Sequence, residues 1–402
     1  MCYVGKLAST KLSAPRASRS LRSLKEEDRY IERPADAALL RTLQSGEHAY
    51  VLAARQTGKS SLLRRTQDKL VAQGYRCIKL DMGAFSFERS VSHWYLSLAR
   101  EIATGLRQPR DFAETLLAQD EGQPASRRFS RFLQEVLRLS DAPLVIFLDE
   151  AEGLLQMPRA VTADFLATLR FCVDDRESTP PYRRLCFCLM GACTSAELVP
   201  GAQRMPFDIA REITLTDFDW PSVRASLLPL VAKKGPQSEA ALARAYYWTQ
   251  GHPSFTQRLC EQMCATFDRE LTVGTVDRLV REIFIGPLVH EQEDFLEIER
   301  RFCAGPSHRV RRRLALYQRL LRGDKVPARR HDLIQLELRL SGLAKLAPGD
   351  PPYLAVRNPI VSSVFNESWL LRVHHKRRDL GFRLDGPPQL WAGCSRVDAG
   401  VS

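Results

Sequence analysis

Residues 48–71 read HAYVLAARQTGKSSLLRRTQDKLV, and the order of features in this stretch decides the fold. His48 to Ala54 is a short β-like run, and from Arg55 the spacing becomes helical to about Val71. Between the two, Ala53-Ala54-Arg55-Gln56-Thr57-Gly58-Lys59-Ser60 fits G-x-x-x-x-G-K-[ST] at every fixed position except the first, where Ala stands for Gly. A strand that feeds a glycine turn and then a helix aims several backbone N–H groups at one point, which suits phosphate oxygens. The octet, with Ser61 following it, is therefore expected to cradle the phosphates of a nucleotide. Lys59 would reach the β and γ phosphates, and the Ser60 hydroxyl would sit on Mg²⁺. The methyl group of Ala53 stands at the entry to a tight turn, where it is either tolerated or tilts the loop.

Working outward, Ala35 to Leu43 is an amphipathic helix opened by Pro34 and stopped by Ser45-Gly46. Tyr75 to Leu80 reads as a second strand, and helices are expected over Val91 to Leu106, Phe112 to Ala118 and Ser126 to Leu139. Leu144 to Leu148 is a wholly apolar strand that ends in Asp149-Glu150. A helix over Val161 to Val173 then leads to the strand Leu185 to Met190. Strands apolar on both faces that alternate with helices imply a parallel sheet covered on both sides. The acids at the end of the third strand fit a hydrolytic site. Asp149 would hold the Mg²⁺ shell and Glu150 would polarise the attacking water.

Beyond Trp220 the pattern is helical only: Ser222 to Val231, Glu239 to Trp248, Pro253 to Phe267 and Val276 to Ile283. From about His308 a helix is followed by Asp332 to Leu340 and two short strand-like runs, Leu343 to Ala347 and Tyr353 to Val356. The Pro348-Gly349-Asp350-Pro351-Pro352 cluster between those runs marks a hairpin, so the order suggests a winged helix. The expected organisation is a basic leader (1–29), a nucleotide-binding α/β domain (30–218), a helical lid (219–300), a winged-helix domain (301–371) and a polar tail (372–402).

Composition fits this reading. Hydrophobic residues make up 44% and charged residues 26% of 402, a globular balance that excludes a disordered tail or a mini-protein. The net charge of +12 comes mostly from Arg, since only 11 of the 59 basic residues are Lys, and it suits an acidic partner such as a nucleotide or nucleic acid. Ten cysteines without a CxxC pair, mostly in apolar segments, read as reduced core thiols. The longest apolar stretches, such as Pro143 to Leu148, fall far short of the ~20 residues that span a bilayer, so a cytoplasmic protein without membrane contact is expected.

Several motifs in order resemble one family. They are Tyr30-Ile31-Glu32-Arg33-Pro34-Ala35-Asp36, Tyr50 to Leu62, the Asp149-Glu150 strand, Gly191 to Leu198, Pro206-Phe207-Asp208-Ile209, Trp248-Thr249-Gln250-Gly251-His252-Pro253, Leu340-Ser341-Gly342-Leu343 and Val356-Arg357-Asn358-Pro359. With these the chain resembles, over about Tyr30 to Leu370, the AAA-like ATPase domain of bacterial multidomain signalling proteins, within the STAND group (signal-transduction ATPases with numerous domains). The resemblance implies a P-loop core, a helical lid and a winged helix that close over ATP or ADP. It also implies that Arg33 and its neighbour Ile31 line the adenine side, with Pro253 packed on the base. Pro253 also suits the first position of a helix. Thr194 matches the position that senses the γ phosphate, and equally suits a helix N-cap. Arg204 and Arg211 are candidates for the arginine that follows the fourth strand, and Arg357 for a winged-helix phosphate contact.

The expected function is an ATP-dependent signalling switch, in which slow hydrolysis of ATP to ADP and phosphate is coupled to self-association in the ATP state and to an unidentified sensor or effector protein. Two alternatives stand beside it. One is a DNA-associated ATPase of the initiator or transposition-regulator kind, drawing on Arg309, Arg311, Arg312, Arg313, Arg329, Arg330 and His331. Against it, the expected recognition helix has a mixed face of Asp332, Gln335, Glu337 and Arg339. The other is a scaffold that holds nucleotide without turning it over.

Overall fold

The computed structural model describes residues 30–376 apart from 86–89, 120–121, 200–207, 267–269, 287–288, 290–291 and 331. The basic leader, Arg204, the Pro206-Phe207 pair, His331 and the tail beyond residue 376 lie outside the described residues. The first half alternates helix and strand as α1 (Pro34–Gln44), β1 (His48–Leu52), α2 (Lys59–Ala72), β2 (Arg76–Asp81), α3 (Val91–Gly105), α4 (Phe112–Ala118), α5 (Ala125–Arg138) and β3 (Leu144–Asp149). It continues with α6 (Arg159–Asp174), β4 (Leu185–Gly191), α7 (Ser195–Leu198) and β5 (Ala210–Glu212).

The five strands form one parallel sheet in the order β2-β3-β4-β1-β5. The two wholly apolar runs occupy interior positions, β3 and β4, and every residue of both is buried. Strand alternation divides their side chains between two cores. Leu144, Ile146 and Leu148 join Trp94, Phe129, Phe132 and Phe165 under α3, α5 and α6, while Val145, Phe147, Cys186 and Cys188 join Leu39, Leu62 and Leu70 under α1 and α2. The described cysteines are free thiols. Edge strand β5 was not expected from the sequence; it has three residues, two of them exposed, and too short a run to show a pattern.

The second half runs α8 (Trp220–Val231), α9 (Ser238–Thr249), α10 (Pro253–Ala265), α11 (Val273–Val280), α12 (Glu293–Cys303), α13 (Ser307–Leu321), β6 (Val326–Pro327), α14 (Leu333–Leu340), β7 (Ala344–Ala347), β8 (Tyr353–Val356), α15 (Pro359–Val364) and α16 (Glu367–Lys376). Side-chain caps fix several starts: Asp219 accepts from Ser222 N (2.7 Å), Asp332 from Ile334 N (2.9 Å) and Asn358 from Val361 N (2.9 Å). Strands β6, β8 and β7 form a small antiparallel sheet in that order, so the hairpin marked by Pro348 to Pro352 is present.

Three features here depart from the sequence reading. Helix α12, written EDFLEIERRFC, was missed because charge dominates it, yet Phe295 and Phe302 are buried on its inner face. The helices before and after residue 300 share one buried cluster that includes Phe255, Phe295, Phe302, Tyr317 and Trp369. The expected lid and winged-helix regions therefore share a single core. The expected polar tail from residue 372 begins inside α16, where Val373 is 3% exposed.

This helical core is separate from the two sheet cores, and Ile31 is the residue before α1 that reaches into it. The halves meet along a polar seam. Asp217, in the connection before α8, pairs with Arg357 (2.5 Å) and Lys345 (3.7 Å), and Glu212 pairs with Arg330 (2.8 Å). Where the two halves join, Phe218 N donates to Gly251 O (2.9 Å). Gly251 has φ +75°, and a Cβ there would lie 1.9 Å from the Phe218 carbonyl oxygen. Gly251→Ala should therefore cost about 3 kcal/mol of stability, combining an unfavourable left-handed residue with a backbone clash. Urea unfolding of the variant would measure this, and a wild-type midpoint would show that the junction at Phe218 and Gly251 tolerates the added methyl group.

Candidate active site

The phosphate loop follows directly from β1. Ala53 N donates to Gly191 O (3.0 Å), and Ala53 does not take a left-handed conformation, so its backbone does not call for glycine. The left-handed positions are instead Gln56 (φ +62°) and Gly58 (φ +85°). Thr57 Oγ1 donates to Ala54 O (2.8 Å), which closes the turn. Ser60 and Ser61 are exposed on the first turn of α2, whose leading N–H groups have no helical partner. Lys59 is buried and curls back, its Nζ donating to the carbonyls of Ala53 and Ala54 at 2.9 Å each. Burial pulls its pKa below the usual lysine value, against the opposing pull of Glu152, Glu150 and Asp149.

The acids sit at the end of β3. Asp149 is 2% exposed; its Oδ1 accepts from Glu150 N (3.0 Å) and its Oδ2 pairs with Lys79 Nζ on β2 (2.9 Å). Glu150 takes a left-handed conformation (φ +51°), a strained backbone of the kind that collects at functional sites. Arg55 of the loop reaches Glu150 (3.6 Å) and Glu152 (3.4 Å). Burial, together with the hydrogen bond and charge of Glu152, raises Glu150 above the usual glutamate range. Burial alone would raise Glu152 as well, but the Ala192 N–H and neighbouring donors and charges hold it below that range.

The loop and Glu150 open into a cavity of about 660 Å³, whereas Asp149 is buried behind it and is not part of its wall. Its near wall is Arg55, Gln56, Gly58, Lys59, Ser60, Ser61 and Glu150; its far wall includes Pro253 and Arg258 of α10, Glu297 and Arg301 of α12, the turn Ser341-Gly342 and Val361. Pro253 stands at the first position of α10 and also in this wall, so its two sequence readings are compatible. Before it, His252 caps the helix through Nδ1, which accepts from Phe255 N (3.4 Å). Burial, with Arg357 and Lys345 nearby, holds that imidazole neutral, its pKa well below the usual value. Two ion pairs tie α12 across the cavity mouth, Glu297 to Arg55 (3.5 Å) and Arg301 to Glu197 (3.1 Å).

Other expected residues stand elsewhere. Arg33 and Ile31 are buried behind the loop and are not in the cavity wall. The Arg33 guanidinium is consumed as a brace: it donates to Thr57 O (2.7 Å), Gly58 O (3.4 Å) and Thr216 O (3.3 Å) and lies over the Phe218 ring. It thereby links the loop to the connection before α8. Thr194 is the N-cap of α7, in a reciprocal capping box with Glu197. Arg357 is buried against Asp217, and Arg211 pairs with Glu47 at 3.8 Å. The sequence reading missed Glu152, Lys79, Glu297 and Arg301. Glu297 and Arg301 lie one helical turn apart, a signal available only once α12 is recognised.

No group of three or more His, Cys, Asp or Glu that could hold a metal exists among the described residues. A Mg²⁺ ion carried with phosphates needs fewer protein ligands, because waters and phosphate oxygens fill most of its octahedral shell. Ser60 offers a hard oxygen donor in the cavity wall; Asp149 is a donor of the right kind behind that wall, its Oδ2 held by Lys79, so it would serve the ion once that pair opens. On the helical half, Glu337 of α14 pairs with Arg309 (3.0 Å) and Arg313 (3.5 Å), and Gln335, Glu337 and Leu338 are buried. Helix α14 thus faces inward with much of its charge engaged. No described helix is long and apolar enough to cross a membrane.

Comparison with known proteins agrees with this architecture. The profile of a family described as AAA-like domain matches residues 20–273. An uncharacterised WD repeat-containing protein of Synechocystis sp. is 29% identical over 386 residues, which are 92% of this chain and 31% of that protein. The chain thus spans under a third of the length of the relative it matches. Among solved structures, a Walker-type ATPase of Pyrococcus abyssi superposes with a TM-score of 0.53 at 17% identity, covering 85% of this chain and 97% of the other, and shares the fold. The ORC2 protein of Aeropyrum pernix gives a TM-score of 0.48 at 16% identity, covering 86% and 95%.

Proposed function

Because the chain belongs to the AAA-like domain family, we propose that it is a P-loop ATPase that works as a nucleotide-dependent switch of the STAND type. The observation that carries this reading is the convergence of Lys59, Ser60 and Glu150 on one cavity whose far wall comes from α10, α12 and the Ser341-Gly342 turn. In the proposed reaction the N-terminus of α2 binds phosphate oxygens, and Lys59 leaves the Ala53 and Ala54 carbonyls for the β and γ phosphates. Glu150 orients the attacking water and takes up its proton. Ser60 and Asp149 would hold Mg²⁺, which neutralises phosphate charge when bound.

Residues from both halves line the cavity, so a bound nucleotide touches the helical half directly. Exchange of ADP for ATP then changes the balance of contacts at the seam, and the helical half moves and promotes self-association. The relative with WD repeats supports a module that works beside a sensor or effector, whether on one chain or between chains. The inward placement of α14 favours this switch over a DNA-reading winged helix.

The test is to measure bound nucleotide in the purified protein, ATP and ADP affinity, turnover, and size-exclusion profiles in ADP and in a non-hydrolysable ATP analogue. Bound ADP, slow turnover and a larger species in the analogue are expected. Binding without turnover would leave the scaffold; absence of binding would refute the nucleotide site.

A further inference from the structure

Resting on the ATPase reading above, we propose that Glu152 is a positioning residue for turnover, fixing where Glu150 stands by tying the turn after β3 to the end of β4 and to the phosphate loop. Its Oε2 accepts the Ala192 N–H at 2.7 Å, the second amide beyond Met190 on β4. Its Oε1 lies 3.4 Å from Arg55 Nη2. The Glu152 side chain is 15% exposed, whereas Glu150 is 40% exposed toward the cavity. The reacting carboxylate is thus the freer of the two, and its placement depends on the turn that carries it.

That turn is seated tightly. Gly153 N donates to Glu150 O (2.8 Å), and a Cβ on Gly153 would fall 2.3 Å from Met82 O, just past β2. A Cβ on Gly191 would fall 2.9 Å from Glu152 Oε2, so glycine at the end of β4 is what lets the carboxylate reach the Ala192 amide. Glu152 therefore joins three strand ends, those of β1 through Arg55, β3 through its own turn and β4 through Ala192. A displacement of about 1 Å in a reacting group can cost on the order of 100-fold in rate, so this anchoring bears on kcat more than on binding.

The experiment compares ATP turnover and binding of a non-hydrolysable ATP analogue in wild type, Glu152→Ala, Glu152→Asp and Glu152→Gln. Ala and Asp, which cannot reach the Ala192 amide, are expected to bind the analogue within about threefold of wild type while kcat falls by about 10-fold or more at little changed KM. Gln, whose amide oxygen can still accept that N–H, is expected to recover most of the rate. Asp retains the charge and carries the test if the Ala variant does not fold. Wild-type kcat in Asp or Ala would overturn the proposal. So would parallel loss of binding and turnover, which would mark a purely structural role. A wild-type protein that binds ATP without hydrolysing it would overturn the role of Glu152 but leave the nucleotide site standing. One that binds no nucleotide would overturn the reading on which the proposal rests.

Discussion

Lys59→Ala is expected to lower affinity for ATP by about 100-fold or more, the largest effect of any single substitution at the cavity. A charged hydrogen bond to phosphate contributes roughly 3 kcal/mol, and each 1.4 kcal/mol is tenfold in affinity. The loss should exceed what the fold itself suffers. In the nucleotide-free protein the ammonium is buried on two carbonyls of its own loop, so removing it leaves the Ala53 and Ala54 oxygens to the loop and to water. Calorimetry or a fluorescent ATP analogue would measure the affinity, with thermal unfolding alongside. An affinity within threefold of wild type would sink the phosphate-loop assignment.

Glu150→Gln should separate binding from chemistry. The amide keeps the shape of the side chain and cannot take a proton from water, so turnover is expected to fall by about 100-fold or more. Affinity should hold or rise, because the change removes one of the carboxylates that contact Arg55 and compete with phosphate for it. Single-turnover hydrolysis with separately measured binding would read both numbers. Turnover within twofold of wild type would move the role of water-orienting group away from Glu150.

The parallel core could be read from the chain because its signals are local. Two fully apolar runs, 144–148 and 185–190, demand burial on both faces, and the glycine-lysine turn can stand only between a strand and a helix. What could not be read depends on contacts distant in sequence. Arg33 carries the same charge whether it faces a base or a backbone; only the fold brings the Thr57 and Thr216 carbonyls to it. Thr194 could sense a phosphate or cap a helix, and Glu197 three residues on forms the capping box that the structure contains. Helix α12 was hidden for another reason. Most of its residues are polar or charged, so its apolar side, including Phe295 and Phe302, stands out only against the cluster it completes.

The seam between the two halves is a joint fastened by charge. Its fastenings include Asp217 with Arg357 and Lys345, Glu212 with Arg330, Glu297 with Arg55 and Glu197 with Arg301, while the apolar cores lie to either side except where Ile31 crosses into the helical one. Parting it wets charges and, Ile31 apart, leaves those cores dry. The motion should therefore carry little of the heat-capacity increase that accompanies melting, and it should become easier as ionic strength rises. A joint of this kind can be tuned by the ions around it without loosening the halves it connects.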